Sequence, residues 1–213
     1  MLVGERMSHP IIPVHPDTSV PEALTLMRRD KIRRAPVIEN GKLVGIVTDR
    51  DLLHASASSA TTLSVWELNY LLSKLVVGKV MTTEVLTVTE NTPIEEAARI
   101  MAENKIGGLP VMRGAQVVGM ITETDLFRIL LEMTGAREKG VRVTVMLPDR
   151  AGQLARLTST VAEAGGNIIA LSTFAGEDPS HSLVMFKASG VTPELLREYV
   201  AAVVDRVIDL RVC

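Results

Sequence analysis

Residues 7–52 realign with residues 81–126 at a constant offset of 74, without a gap. Met7 falls on Met81, Val14 on Val88, Thr18 on Thr92 and Met27 on Met101. Lys31-Ile32 falls on Lys105-Ile106, Pro36-Val37 on Pro110-Val111, Val44-Gly45 on Val118-Gly119, and Thr48 and Asp51-Leu52 on Thr122 and Asp125-Leu126. An unbroken register of this length is a duplication, and it constrains the fold more than any other feature of the chain. Two copies are too few for a solenoid, whose core is built by stacking several units. The simpler solution is a pair of halves related by a pseudo-twofold axis and sharing one core.

Each copy reads as strand, helix, strand, strand, helix. In the first, Thr18 is placed to cap a helix whose apolar positions are Val20, Ala23, Leu24 and Met27, with Pro21 tolerated in its first turn. The second repeats this with Thr92-Pro93, then Ile94, Ala97, Ala98 and Met101. Two β-rich runs follow in the first copy, Ala35–Glu39 and Leu43–Val47, around the hairpin turn signal Asn40-Gly41. The small polar residues His54–Thr62 read as a loop. Ser64-Val-Trp-Glu67 has capping-box spacing, and Leu68, Leu71, Leu72 and Leu75 at helical period predict a connecting helix.

Beyond the glycine-bounded, charged segment Gly135–Gly140 the pattern changes completely. Val141, Val143, Val145 and Leu147 alternate with Arg142, Thr144 and Met146, the period of a half-buried strand. A helix through Leu154, Leu157, Val161 and Ala164 stops at Gly165-Gly166, and strands follow around Ile168–Phe174 and Leu183–Lys187. Thr192-Pro193-Glu194 starts a second helix, and Val207, Ile208, Leu210 and Val212 suit a last strand. The order is βαββαβ, an antiparallel sheet with helices on one face. The expected organisation is a first repeat over 1–60, a connecting helix over 61–76, a second repeat over 77–135, a linker over 136–140 and a third unit over 141–213.

Composition narrows the function. With 46% apolar and 23% charged residues the chain has ordinary globular composition, enough to build more than one core. A net charge of -2 and a pI near 6.1 give no global basic field for a nucleic-acid backbone or an anionic membrane. Six aromatic residues, one Trp, two Tyr and three Phe, are too few for a base-stacking platform. The single cysteine, Cys213, rules out a disulfide framework and fits a reducing compartment. No apolar run reaches transmembrane length, and MLVGERM lacks the apolar core of a signal peptide, so a soluble cytoplasmic protein is expected. His9, His15, His54 and His181 form no metal-binding spacing, and neither a nucleophile elbow nor a Walker-type loop is present. The expectation is a protein that is not an enzyme, with no metal and no catalytic cofactor.

The chemistry that does repeat is Gly-h-h-Thr-x-x-Asp, where h is apolar: Gly45-Ile-Val-Thr48-Asp-Arg-Asp51 and Gly119-Met-Ile-Thr122-Glu-Thr-Asp125. It sets a hydroxyl and a carboxylate at the start of a helix directly after a strand. Free N–H groups and the positive end of the helix dipole suit a phosphate there. An ionised aspartate accepts two hydrogen bonds, as the vicinal hydroxyls of a ribose require. Thr-x-x-Asp is also the pattern of a helix cap, and a single instance would favour that reading. The copies differ where Arg33-Arg34 faces Gly107-Gly108 in the alignment and Arg50 faces Thr124, beside Glu123. Guanidinium forks suit phosphate oxygens, so Arg33, Arg34 and Arg50 predict one cleft biased toward a polyphosphate; a solvated basic turn is the alternative.

The paired Met-Ser/Thr, Pro-Val and Gly-h-h-Thr-x-x-Asp landmarks resemble a tandem of CBS domains, a Bateman module, over about residues 1–135. The resemblance implies binding of AMP, ADP, ATP or S-adenosylmethionine in clefts between the halves, and regulation of something else. It implies that Asp51 and Asp125 hold ribose and that Thr48 and Thr122 sit near phosphate or ribose. The segments Ile12-Pro13, Leu86-Thr87, Ala35-Pro36 and Leu109-Pro110 would line the adenine. Asp149-Arg-Ala-Gly152-Gln-Leu154 with Ala164-Gly-Gly-Asn167-Ile168 is similar to ACT domains, ferredoxin-like βαββαβ modules that pair side by side and often bind amino acids. By that resemblance Asp149, Gly152, Leu154, Asn167 and Ile168 form an effector site, although Ala151 replaces a proline common in the family. A dimerisation module without a ligand is the competing reading.

The fold class is thus α+β: a pseudo-twofold CBS pair followed by an ACT domain, an order that resembles acetoin-utilization proteins of the AcuB type. The expected function is a homodimeric sensor of an adenine nucleotide, with a possible amino-acid effector, acting on an unknown protein partner. The alternative is a ligand-free dimerising scaffold for an enzyme or transporter.

Overall fold

The computed structural model describes residues 1–58, 74–176 and 178–213. These form two compact units, Met1–Leu126 and Phe127–Cys213. Of the connecting helix expected over 61–76, residues 61–73 lie outside the described residues. Among the described residues no helix is long and apolar enough to cross a membrane.

In the first unit, helix α1 (Val20–Arg29) buries Val20, Ala23 and Met27, the face set by their spacing. Its cap is Ser19 rather than Thr18, with Ser19 Oγ accepting from the Glu22 N–H at 3.4 Å. Thr18 Oγ1 instead accepts from the His15 N–H at 3.2 Å and closes the turn before the helix. The hydroxyl that caps must sit on the last extended residue, and here that is Ser19. The equivalent position before the second repeat's helix α3 (Ile94–Asn104) is Pro93, so α3 has no side-chain cap. Thr92 repeats the turn-closing role by accepting from the Thr89 N–H at 3.0 Å.

Strands β1 (Arg34–Glu39) and β2 (Lys42–Thr48) pair as an antiparallel hairpin, with Asn40 and Gly41 both at positive φ, as a two-residue turn of this hand requires. The second repeat matches it with β4 (Gly108–Arg113) and β5 (Gln116–Thr122), down to a register shift at the equivalent place. The opening strand of each repeat is minimal. It is the single bridge of Val14 to Val37 in the first copy and the two-residue β3 (Val88–Thr89), parallel to β4, in the second. Helix α2 (Asp49–Ser58) runs through His54–Ser58, which the sequence reads as loop. Ser56 Oγ bonds back to the Leu52 carbonyl at 2.8 Å, and alanines at 55 and 57 favour the continued helix.

The repeats do not bury their own leading segments. Leu2 bridges to Pro93 and Ser8 to Met120, while Val76 bridges to Ser19 and Thr82 to Ile46. Val77 is fully buried within the first repeat's core beside Val14, Met27, Val37 and Leu52. Each half is therefore completed by the segment that precedes the other. The motif glycines make this possible. A Cβ on Gly45 would lie 2.5 Å from Met81 Sδ and 3.0 Å from the Thr82 carbonyl, and one on Gly119 would strike Met7.

The second unit contains the last part of α4 (Glu123–Met133), then β6 (Val141–Pro148), α5 (Gln153–Glu163), β7 (Asn167–Ala175), β8 (His181–Ser189), α6 (Pro193–Ala201) and β9 (Arg206–Val212). The four-stranded antiparallel sheet has the order β7-β8-β6-β9. Its core joins Val143, Val145 and Phe186 of the sheet to Leu157, Val161, Leu196 and Val200 of the helices. Thr192 caps α6 with Pro193 in its first turn, as the sequence predicts. Lys187 is 3% exposed, and its Nζ donates to the Gly135 carbonyl at 3.1 Å, at the end of the turn that stops α4. A cation there complements the negative end of a helix.

Candidate functional site

The two repeated aspartates begin α2 and α4. Asp51 Oδ2 accepts from the Thr48 N–H at 2.9 Å and from Thr48 Oγ1 at 2.7 Å. Asp125 Oδ2 accepts from the Thr122 N–H at 3.0 Å and from Thr122 Oγ1 at 2.7 Å. The cap reading of the motif therefore holds in both copies, each through one carboxylate oxygen. In the second copy Ser8 Oγ lies 3.4 Å from Asp125 Oδ1, and Asp125 is 5% exposed. In the first copy Asp51 is half-buried, and among the described residues nothing donates to its Oδ1.

A cavity of about 510 Å³ opens beside Asp51, within the size range of small-molecule sites. The first repeat contributes Ile46, Thr48 and Asp51 to its wall, and the second contributes Thr82–Leu86 positions Thr82, Glu84, Val85 and Leu86. Arg33, Arg34, Arg50 and Lys105 bring positive charge to it, and Gly107-Gly108 form its floor with Ile106. Of the residues expected to bind nucleotide, Arg33, Arg34, Thr48, Arg50, Asp51 and Leu86 meet in this cavity; Asp125 and Thr122 do not line it. Ile12 is half-buried, and Pro13 and Thr87 are exposed. Ala35, Pro36, Leu109 and Pro110 are buried within β1 and β4, and Ala35 belongs to the apolar core of the first repeat.

The arginines of the first copy reach the second. Arg33 Nη2 donates to Thr124 Oγ1 at 3.5 Å. The Arg34 guanidinium lies across Gly107-Gly108, so that a Cβ on either glycine would strike it. Glu123 Oε2 is 2.7 Å from where the Gly107 Cβ would be. Burial pushes the Arg34 pKa below its ordinary value, and the Glu123 charge works against that shift. The glycine pair that aligns with Arg33-Arg34 is thus the room that Arg34 fills. Sequence reasoning found the asymmetry but not its direction. It also missed Glu84, Lys105 and Ser8, although the offset that pairs Ser8 with Thr82 marks both as equivalent positions.

In the second unit a cavity of about 770 Å³ is lined by Asp149, Arg150, Leu154, Phe174, Asp178 and His181, among others. Gly152 caps α5 at φ +88° with open space where a Cβ would be, so its backbone conformation, not crowding, calls for glycine. Asn167 and Ile168 open β7, whereas the cavity lies at the Phe174 end of the same strand. One chain therefore does not bring the five expected effector residues together. His181 Nδ1 lies 3.0 Å from Asp178 Oδ2, and its Nε2 lies 3.3 Å from Asp205 Oδ2. The hydrogen bond that His181 donates to Asp178 raises the His181 pKa, and hydrogen bonds from Ser180 and His181 hold that of Asp178 down at about 2. Nothing in the sequence beyond the local Asp-Pro-Ser-His order signalled this cluster. Among the described residues no set of His, Cys, Asp and Glu gathers as a metal site.

The CBS domain model matches residues 3–58 and 77–132, and the TTHA0829-like ACT domain model matches residues 139–211. The chain is a CBS-domain pair followed by an ACT domain. The solved CBS pair of protein MJ0100, in complex with 5′-methylthioadenosine and S-adenosyl-L-methionine, is 29% identical with a TM-score of 0.54, covering 65% of this chain and 98% of that one. A putative acetoin utilization protein, AcuB, from Vibrio cholerae is 31% identical with a TM-score of 0.54, over 65% of this chain and 96% of that one. CBSX2 from Arabidopsis thaliana, solved in complex with AMP, is 36% identical with a TM-score of 0.52, over 62% of this chain and 97% of that one. The chain spans 58% of the full curated CBSX2 sequence, at 37% identity. These solved relatives cover roughly the extent of the CBS pair, so the combination with an ACT domain is carried by the two family matches.

Proposed function

We propose that this CBS pair is a regulatory module that binds an adenine nucleotide in the first cleft and passes its occupancy to a protein partner. The observation that carries the reading is the half-buried Asp51 carboxylate, which lines a 510 Å³ cavity and spends one oxygen on the start of α2, while among the described residues nothing donates to the other. That is the acceptor a ribose diol needs. Relatives of 29% and 36% identity solved with S-adenosyl-L-methionine and with AMP support an adenosine ligand. Coupling to a partner requires that the nucleotide bind two arrangements of the protein with different affinity. The role is regulatory rather than catalytic, in a cytoplasmic setting, and the ACT domain adds a second place for a small effector.

Self-association belongs to this reading. Helix α4 exposes Phe127, Leu130, Leu131 and Met133. This apolar face is what a second copy of the same helix would cover in an isologous dimer. Sedimentation of Leu130→Glu against the parent chain tests it: the parent is expected to be a dimer and the variant a monomer, and an unchanged mass removes α4 from the interface.

The test of the function is calorimetric titration of nucleotide-stripped protein with AMP, ADP, ATP and S-adenosylmethionine, beside a folded Asp51→Ala/Asp125→Ala variant. Binding near micromolar, about -8 kcal/mol, is expected in the parent and lost in the variant. No heat with any of the four leaves the scaffold reading in its place.

A further inference from the structure

We propose that the first cleft selects its nucleotide by the phosphate chain, that Arg34 is the selecting residue, and that one nucleotide binds per chain. The inference rests on the nucleotide reading above and adds the ligand's charge class and stoichiometry to it.

Arg34 opens β1 in the first repeat, yet its guanidinium rests over Gly107-Gly108 of the second, in the wall of the cavity that holds Asp51. Arg33, Arg50 and Lys105 line the same cavity. The carboxylates that face these cations are Asp49, Asp51 and Glu84 in the wall, with Glu123 beside the Arg34 guanidinium. Asp51 is committed to the start of α2 and, in this reading, to ribose. These four cations are matched in number by the four carboxylates, so the cluster favours a phosphate chain through the position of its guanidinium forks and not through a surplus of charge. A guanidinium that is partly desolvated gains most from a charged acceptor, and a phosphate chain offers several oxygens to its fork. The α2 N-terminus lies in the same wall and favours the same sign of charge. A neutral adenosine uses none of this, and a monophosphate reaches fewer of the cations than a chain of two or three phosphates.

The second half is built otherwise. The positions equivalent to Gly107-Gly108 are Arg33 and Arg34 themselves, so the backbone room that the glycines leave in the first cleft has no counterpart. Its ribose-type carboxylate, Asp125, is 5% exposed and has Ser8 Oγ at Oδ1. That carboxylate serves to start α4 and to bind the leading segment of the chain, which leaves one nucleotide site.

Two variants separate charge from position. Arg34→Ala removes the guanidinium. Gly107→Ala keeps it but places a methyl where its Nη2 lies, and the atoms met there are the mobile ends of Arg34 and Glu123, so the fold is not threatened. The full-length, nucleotide-stripped chain is titrated with adenosine, AMP, ADP and ATP, with melting curves to verify each variant. The parent is expected to bind one equivalent and to prefer ATP over AMP by on the order of tenfold or more. Both variants should bring ATP close to AMP and leave AMP within about twofold of the parent. Equal affinity for AMP and ATP in the parent, two equivalents per chain, or an equal loss for every ligand in Arg34→Ala overturns this inference and leaves the nucleotide reading standing. Absence of binding by all four overturns both.

Discussion

The two CBS repeats share a register, a hairpin with the same irregularity and the same Thr-Asp pair at a helix start, yet they use that pair differently. In the first, Asp51 is half-buried and faces a cavity; in the second, Asp125 is buried and is met by Ser8. Gly107-Gly108 gives room where Arg33-Arg34 gives charge, and the charge of one copy moves into the room of the other. Duplication supplied two equivalent frames, and the unequal side chains left one carboxylate beside a cavity and the other fastened to the leading segment. An identical pair could not do this, because two arginines would compete for the same space.

The comparison breaks most clearly at the aspartates. Asp51→Asn should cost nucleotide affinity by about 1.5–3 kcal/mol, the range for hydrogen bonds to a charged group, besides the stability lost at the start of α2. Asp125→Asn should spare affinity and lower stability by about 1–2 kcal/mol, more than Asp51→Asn does, because the contact with Ser8 is weakened along with the helix start. Titration and thermal melts on the same two proteins decide it, and matched losses in both assays would make the two sites equivalent.

The segment exchange gives the next largest effect. Gly119→Ala presses on Met7 and the Ser8 carbonyl, and Gly45→Ala on Met81 and the Thr82 carbonyl. Each should cost about 1–3 kcal/mol of stability by overpacking, measured by denaturant unfolding. Val77→Ala should cost about 1.5–3 kcal/mol, and hydrogen exchange should show the loss in the first repeat, where Val77 is buried, rather than in the second that follows it in sequence.

The smallest effect lies in the ACT domain and serves as a control. The His181 pKa is raised, chiefly by Asp178, so the protonated imidazole contributes stability below the unfolded value of 6.5. That contribution fades as pH rises through the folded-state value. Asp178 acts in the opposite sense, with a contribution present above 3.8 and lost as pH falls toward about 2. A melting profile across neutral pH should therefore decline slightly, and His181→Gln should flatten it without touching nucleotide binding.

Much of this was legible in the residues. The duplication, the hairpin turn at Asn40-Gly41, the βαββαβ order and the Thr-Asp motif all stand in the structure, because each rests on local spacing and backbone preference. The Thr18 cap was misplaced by one residue, since local spacing does not say which hydroxyl sits on the last extended residue. The loop assigned to His54–Ser58 is helix, because small polar residues can bond back to their own helix as readily as leave it.

The sequence by itself determined that there are two like halves and a third, unlike unit, and it named the carboxylates and arginines that set the halves apart. Only the tertiary structure decided that each half is closed by the segment before the other, that Arg34 crosses to Gly107-Gly108, and that Ser8 rather than open space meets Asp125. The reason is physical. Periodicity and turn chemistry are written over a few neighbouring residues, whereas contacts between positions 34 and 107, or 8 and 125, depend on which backbones approach across the pseudo-dyad, and no local pattern records that approach.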